Sequence, residues 1–205
     1  MRLYDFELSG NCYKVRLLLG MLGLDYERVA VDSSKGETRT AEFRTLNPRG
    51  QIPVLQDGDL RLWDSMAILV YLARRYGDPG RPEGPWLPSD AEGEARVMQW
   101  LALAENELLY GLARARSVLR FDRPFDLAAC QAEGRAGLEV LEDRLRDRHW
   151  LEGEGATIAD IACYPYAALA GEAGVPLGPY PAVRAWLARF AALPAYQSMP
   201  GTQGG

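Results

Sequence analysis

The chain has 205 residues, 48% of them hydrophobic and 25% charged, with a net charge of -5. That is enough length for one large domain or two small ones, each with a buried core. Acidic and basic residues interleave, which excludes a basic nucleic-acid footprint, and no apolar run approaches the roughly eighteen residues of a membrane span.

The first residues, Met1-Arg2-Leu3-Tyr4-Asp5, lack the apolar core of a signal peptide, so the expected location is cytoplasmic. The cysteines Cys12, Cys130 and Cys163 are far apart and odd in number, which argues against a disulfide framework. With His149 as the only histidine, no metal site is expected.

In chain order, residues 2–6 read as a strand and residues 11–22 as an amphipathic helix, with Val15, Leu18, Leu19 and Leu22 on one face. Between them lie Ser9, Gly10, Asn11 and Cys12, a hydroxyl, an amide and a thiol around a permissive glycine. A helix start carries unpaired N–H groups and partial positive charge, so this loop is the first candidate for anion chemistry. Residues 25–31 read as a second strand, residues 35–40 as a polar loop and residues 41–46 as a short helix or turn. Pro53 either opens the next strand or follows a cis bond. Asp57-Gly58 is a hairpin turn between two short strands, and Asp64-Ser65 opens a helix that runs to about Tyr76. The pattern is a mixed sheet with helices on both faces.

Residues 78–89 are dense in Gly and Pro and read as an interdomain linker, dividing the chain into residues 1–77 and 90–205. Everything beyond is helical. Ser89 and Glu92 read as a capping box for a helix to about Leu119, with Val97, Leu101, Ala104, Leu108 and Leu112 inward. A second long helix spans residues 125–148. Thr157 and Asp160 form another capping box, for a helix over residues 158–171 that Pro165 bends or shortens. Tyr180-Pro181 starts the last helix, and residues 197–205 read as a frayed end.

Four stretches together resemble the cytosolic glutathione S-transferases, over nearly the whole chain. Ser9-Gly10-Asn11-Cys12 is similar to the Ser-x-x-Cys loop of serine-type members. The run from Asn47 to Leu55 resembles the segment with the family's cis-proline. Asp64-Ser65 resembles its acidic-Ser motif, and Gly155-x-Thr157-x-x-Asp160 its folding capping box. The implied fold is an N-terminal thioredoxin-like α/β domain, with a mixed four-stranded sheet, followed by an all-helical domain. The implied cosubstrate is glutathione, the partner a small electrophile, and the assembly a homodimer. Ser65 and Asp64 would take the glutamyl end, the Ile52 backbone beside Pro53 the cysteinyl amide, and Gln51, with Lys35 or Arg49, the glycyl end. Ser9 would donate to the glutathione sulfur, favouring thiolate over thiol. Asn11 and Cys12 compete for that place, Cys12 also as a redox thiol or as a core side chain. Tyr110, Arg114 and Tyr164 are the candidates for the second-substrate pocket, and Gln99 for a contact with a partner's glutathione.

Three other readings stay open on these residues. One is glutathione-dependent disulfide reduction or peroxidase chemistry through Asn11 or Cys12. Another is isomerisation, which the Ser9-Gly10-Asn11 loop disfavours against a Ser-Ser-Cys loop. The last is a non-catalytic binding module of the same fold.

Overall fold

In the computed structural model, which describes residues 1–33 and 35–202, the first part of the chain is a four-stranded mixed sheet flanked by helices. Its elements are β1 (Arg2–Asp5), α1 (Gly10–Met21), β2 (Glu27–Ala30), α2 (Ala41–Leu46), β3 (Val54–Asp57), β4 (Leu60–Trp63) and α3 (Ser65–Tyr76). Strand order is β2-β1-β3-β4. The β1–β2 pair is parallel, as a helical crossover through α1 requires, and the other two pairs are antiparallel. Leu3 stands opposite Leu55, and Leu55 opposite Leu62, giving the sheet one apolar row.

Helix α1 is buried almost all round, wedged between the sheet, α3 and the helical part, so Lys14 and Arg16 are interior. The expected one-sided amphipathic helix is corrected on this point. Arg16 is reconciled with burial by the carboxylate of Asp5, which also accepts from Arg28 on β2. Pairing of this kind offsets the cost of taking a charge out of water.

The helical part comprises α4 (Ala91–Glu105), a π-helical turn over Glu107–Ala113, α5 (Arg114–Phe121), α6 (Leu127–Leu145), α7 (Ile158–Ala168), a 3-10 turn (Ala170–Ala173) and α8 (Pro181–Ala191). The single long helix expected up to Leu119 is thus interrupted at Asn106. The expected Ser89–Glu92 capping box is replaced by Asp90, whose carboxylate accepts from Gly93 N–H at 2.8 Å. Helix α4 starts one residue later than expected, and an Asp at the N-cap also suits the helix dipole. The box at α7 forms: Thr157 Oγ1 accepts from Ala159 N–H, and Asp160 Oδ2 from Thr157 N–H at 2.9 Å. Asp160 Oδ1 further accepts from Leu151 N–H and Trp186 Nε1–H, so one carboxylate ties α7 to α8 and to the preceding loop. Helix α7 ends at Ala168, three residues past Pro165.

The Gly/Pro-rich stretch after α3 is docked. Trp86 and Leu87 are buried, Arg81 stacks 3.9 Å over the Trp86 ring, and Ile158 N–H donates to Trp86 O at 2.9 Å. Nor is the described C-terminal stretch frayed. Tyr13 O–H donates to Gln197 O at 2.6 Å, and Met199 is buried; residues 203–205 of that expected segment lie outside the described residues.

Candidate functional site

The loop after β1 turns back through Ser9 N–H to Phe6 O and then caps α1. Ser9 Oγ accepts from Cys12 N–H at 3.2 Å, and the Ser9 hydroxyl also acts on the buried Cys12 thiol, opposing the upward push of burial. Gly10 is needed because α7 comes close: a Cβ there would stand 2.5 Å from Tyr166 Cε1. Asn11 Oδ1 accepts from the Tyr166 hydroxyl at 3.3 Å.

Ser9 and Gly10 form one wall of a cleft of about 390 Å³ between the two parts of the chain, with Ile52 beside them and Arg116, Phe121 and Tyr166 opposite. Two sequence candidates lie outside the lining of this cleft, each two residues from a side chain that lines it. Tyr166, and not Tyr164, faces the cleft. Tyr164 instead stacks on Phe190 at 4.1 Å and shares a hydrogen bond with the Tyr196 hydroxyl, beside a separate hollow lined by Leu187 and Thr202. Likewise Arg116, and not Arg114, lines the cleft; two residues on a helix is a turn of about 200° to the opposite face. Arg114 lies over the rings of Tyr110 and Phe125, and Tyr110, a large exposed side chain, is likewise outside the cleft lining.

Cys12 does not reach the cleft either. It is 0% exposed, and burial, reinforced by the Asp5 charge, pushes its thiol up to about 12, so it stays protonated at neutral pH. Of the places considered for Cys12, it occupies the core. Cys163 is buried as well, with its thiol pushed up by desolvation, and Cys130 is buried in α6.

The Ile52–Pro53 peptide is cis, at the start of β3. Asn47 Nδ2–H donates to Gln51 O at 2.7 Å and holds the approach to it, while the Gln51 side chain is exposed. Asp64 caps α3 with a positive φ of 80°, accepting from Met66 and Ala67 N–H, and faces Arg49 at 3.3 Å. Ser65 is 2% exposed, and its Oγ has no hydrogen-bond partner among the described residues. Lys35 is an exposed loop cation beside Asp32.

Lys14, buried behind the Tyr166 ring, was not foreseen. It is 0% exposed, and its ammonium has no hydrogen-bond partner among the described residues, lying 5.1 Å from the centre of the Tyr166 ring. Burial lowers its pKa to about 8, opposed by the charges of Glu105, Cys163 and Asp64. Glu105, on α4, is pushed up by its own desolvation. The missed residues left some trace in the sequence. Arg116 continues the stripe Leu108, Leu112 by four more residues, and Gly10 marks a close approach without naming Tyr166. For Lys14, the periodicity of α1 carried no sign of burial.

Comparison with known proteins identifies the family. Residues 1–74 match the model of the glutathione S-transferase N-terminal domain, and residues 119–194 that of its C-terminal domain. A disulfide-bond oxidoreductase of Escherichia coli is 31% identical over 93% of this chain and 90% of its own. A probable glutathione S-transferase of Oryza sativa is 32% identical over 97% of this chain and 95% of its own. The crystal structure of a glutathione S-transferase from Xanthobacter autotrophicus is 37% identical and superposes with a TM-score of 0.86, covering 98% of this chain and 97% of that one. The chain belongs to the glutathione S-transferase family.

Proposed function

We propose that the protein is a glutathione transferase that holds glutathione along the Ser65–Ile52–Ser9 line and a small electrophile in the cleft beside it. The observation that carries this reading is Ser65 Oγ, a buried hydroxyl without a partner among the described residues, at the start of α3. A carboxylate accepts from that hydroxyl and from the Ser65 backbone N–H together. Glutathione, when bound, supplies the nucleophilic thiolate. Asp64 faces its amine, Ile52 offers backbone groups to its peptide, and Gln51 and Lys35 stand toward its glycyl end. Ser9 then has one task. Its O–H donates to the glutathione sulfur in preference to the neutral Cys12 thiol, and the α1 N-terminus adds positive potential, so both favour thiolate over thiol. Asn11 is held by Tyr166 near the same place and supports the Ser9 role by fixing the loop. A homodimer and a cytoplasmic setting belong to this reading.

Calorimetry with glutathione tests it. Binding by the unmodified protein, and a loss of roughly tenfold or more in Ser65→Ala, is expected from one charge-assisted hydrogen bond. Unchanged affinity in Ser65→Ala contradicts the assignment. A second reading, glutathione-dependent disulfide reduction, draws on the similarity to the Escherichia coli oxidoreductase. With Cys12 buried and protonated, it would act through bound glutathione and Asn11, and Cys12→Ser would leave turnover intact.

A further inference from the structure

Arg116 is the buried charged side chain of the cleft lining, and the glutathione reading leaves it without a task. It is 4% exposed, yet it lines the cleft together with Ser9, Ile52 and Tyr166. A guanidinium taken out of water needs its donors satisfied. Nε donates to Glu172 at 2.6 Å, and Nη1 donates to Leu8 O at 2.8 Å, one residue before Ser9. Nη2 is shielded from solvent and has no acceptor among the described residues.

Charge balance points the same way. The Glu172 carboxylate is shared, since Arg120 Nη1 also donates to it at 2.7 Å. Two guanidinium groups on one carboxylate leave a net positive charge. Arg123 and Asp122 add one charge of each sign at the rim of the cleft and cancel. A buried, under-neutralised cation with a spare donor is matched by an acceptor that carries negative charge, and a carboxylate makes the stronger, charge-assisted bond.

We propose that Arg116 is the anion-binding residue of the second-substrate half of the cleft, and that the electrophile taken there carries a carboxylate. This inference rests on the glutathione reading, which places the sulfur at Ser9 on the facing wall.

The test measures binding, so it needs no turnover. Titration calorimetry compares glutathione, S-(p-carboxybenzyl)glutathione and the methyl ester of that benzoate. The acid conjugate should bind about tenfold tighter than the ester to the unmodified protein, the gain of one charge-assisted hydrogen bond. In Arg116→Gln the preference should fall to about twofold or less. In Glu172→Gln, which removes the internal counterion, it should grow. Equal binding of acid and ester by the unmodified protein overturns the proposal, and that comparison stands even where a variant folds poorly. A preference that survives in folded Arg116→Gln also overturns it, assigning the anion to Arg123 instead. Failure of glutathione and both conjugates to bind overturns the glutathione reading, and this proposal with it.

Discussion

Lys14 is a charge the fold carries at a cost. An ammonium wholly removed from water and without a hydrogen-bond partner among the described residues opposes folding while it is protonated. Its native pKa of about 8 lies below the ordinary 10.5, so the unfolded chain binds more protons between those values. Stability contributed at this site therefore rises with pH across that window, by at most about 1.4 kcal/mol per pH unit. Lys14→Met keeps the packed stem and removes the charge. Urea unfolding at pH 7.5 and 9.5 should show the unmodified protein gaining stability relative to the variant at the higher pH, a comparison in which titrating groups remote from Lys14 cancel. Parallel behaviour of the two proteins would mean that Lys14 is not desolvated. Asn11 and Ser9 were visible at this scale because a helix start is a local feature of sequence. Lys14 was not, because its burial comes from α7 and α3 closing over α1.

At the scale of elements, the contact between the π turn and α6 is set by glycines. A Cβ on Gly111 would meet the Gly134 backbone, and one on Gly134 would meet the Leu112 side chain at 2.6 Å. The backbones approach this closely only because neither position has a side chain. Gly111→Ala is expected to destabilise by about 3 kcal/mol, since backbone cannot move aside as a rotamer can. Thermal unfolding checks this, and a melting temperature within a degree or so of the parent, against the several degrees expected, would show that the helices part freely. Most elements were legible from periodicity and caps: the α7 capping box, Pro181 at the start of α8 and the Asp57-Gly58 hairpin all follow from local chemistry. The break after Glu105 was not, because the apolar stripe runs unchanged through the π turn to Leu108 and Leu112.

For the whole molecule, the cleft exists because two differently built parts meet along α1, α3 and α7. The order of those parts was legible from where Gly and Pro concentrate. The docking of the connecting stretch was not, since breakers report only that a helix cannot continue and Trp86 and Leu87 find their burial far away in sequence. The same holds for the site. Tyr166 and Arg116 join Ser9 across more than a hundred residues of chain, and their inward faces depend on tertiary contacts such as the Arg116–Leu8 bond. Here the account rests on one claim: that this assembled cleft presents the Ser9 hydroxyl to the sulfur of glutathione. The direct measurement is the pH titration of thiolate absorbance for glutathione bound to the unmodified protein and to Ser9→Ala. The account predicts a bound midpoint below the roughly 8.5 of a free thiol, and a rise of about one unit in the variant, for the loss of about 1.4 kcal/mol of thiolate stabilisation. A midpoint that is the same in both proteins would contradict it.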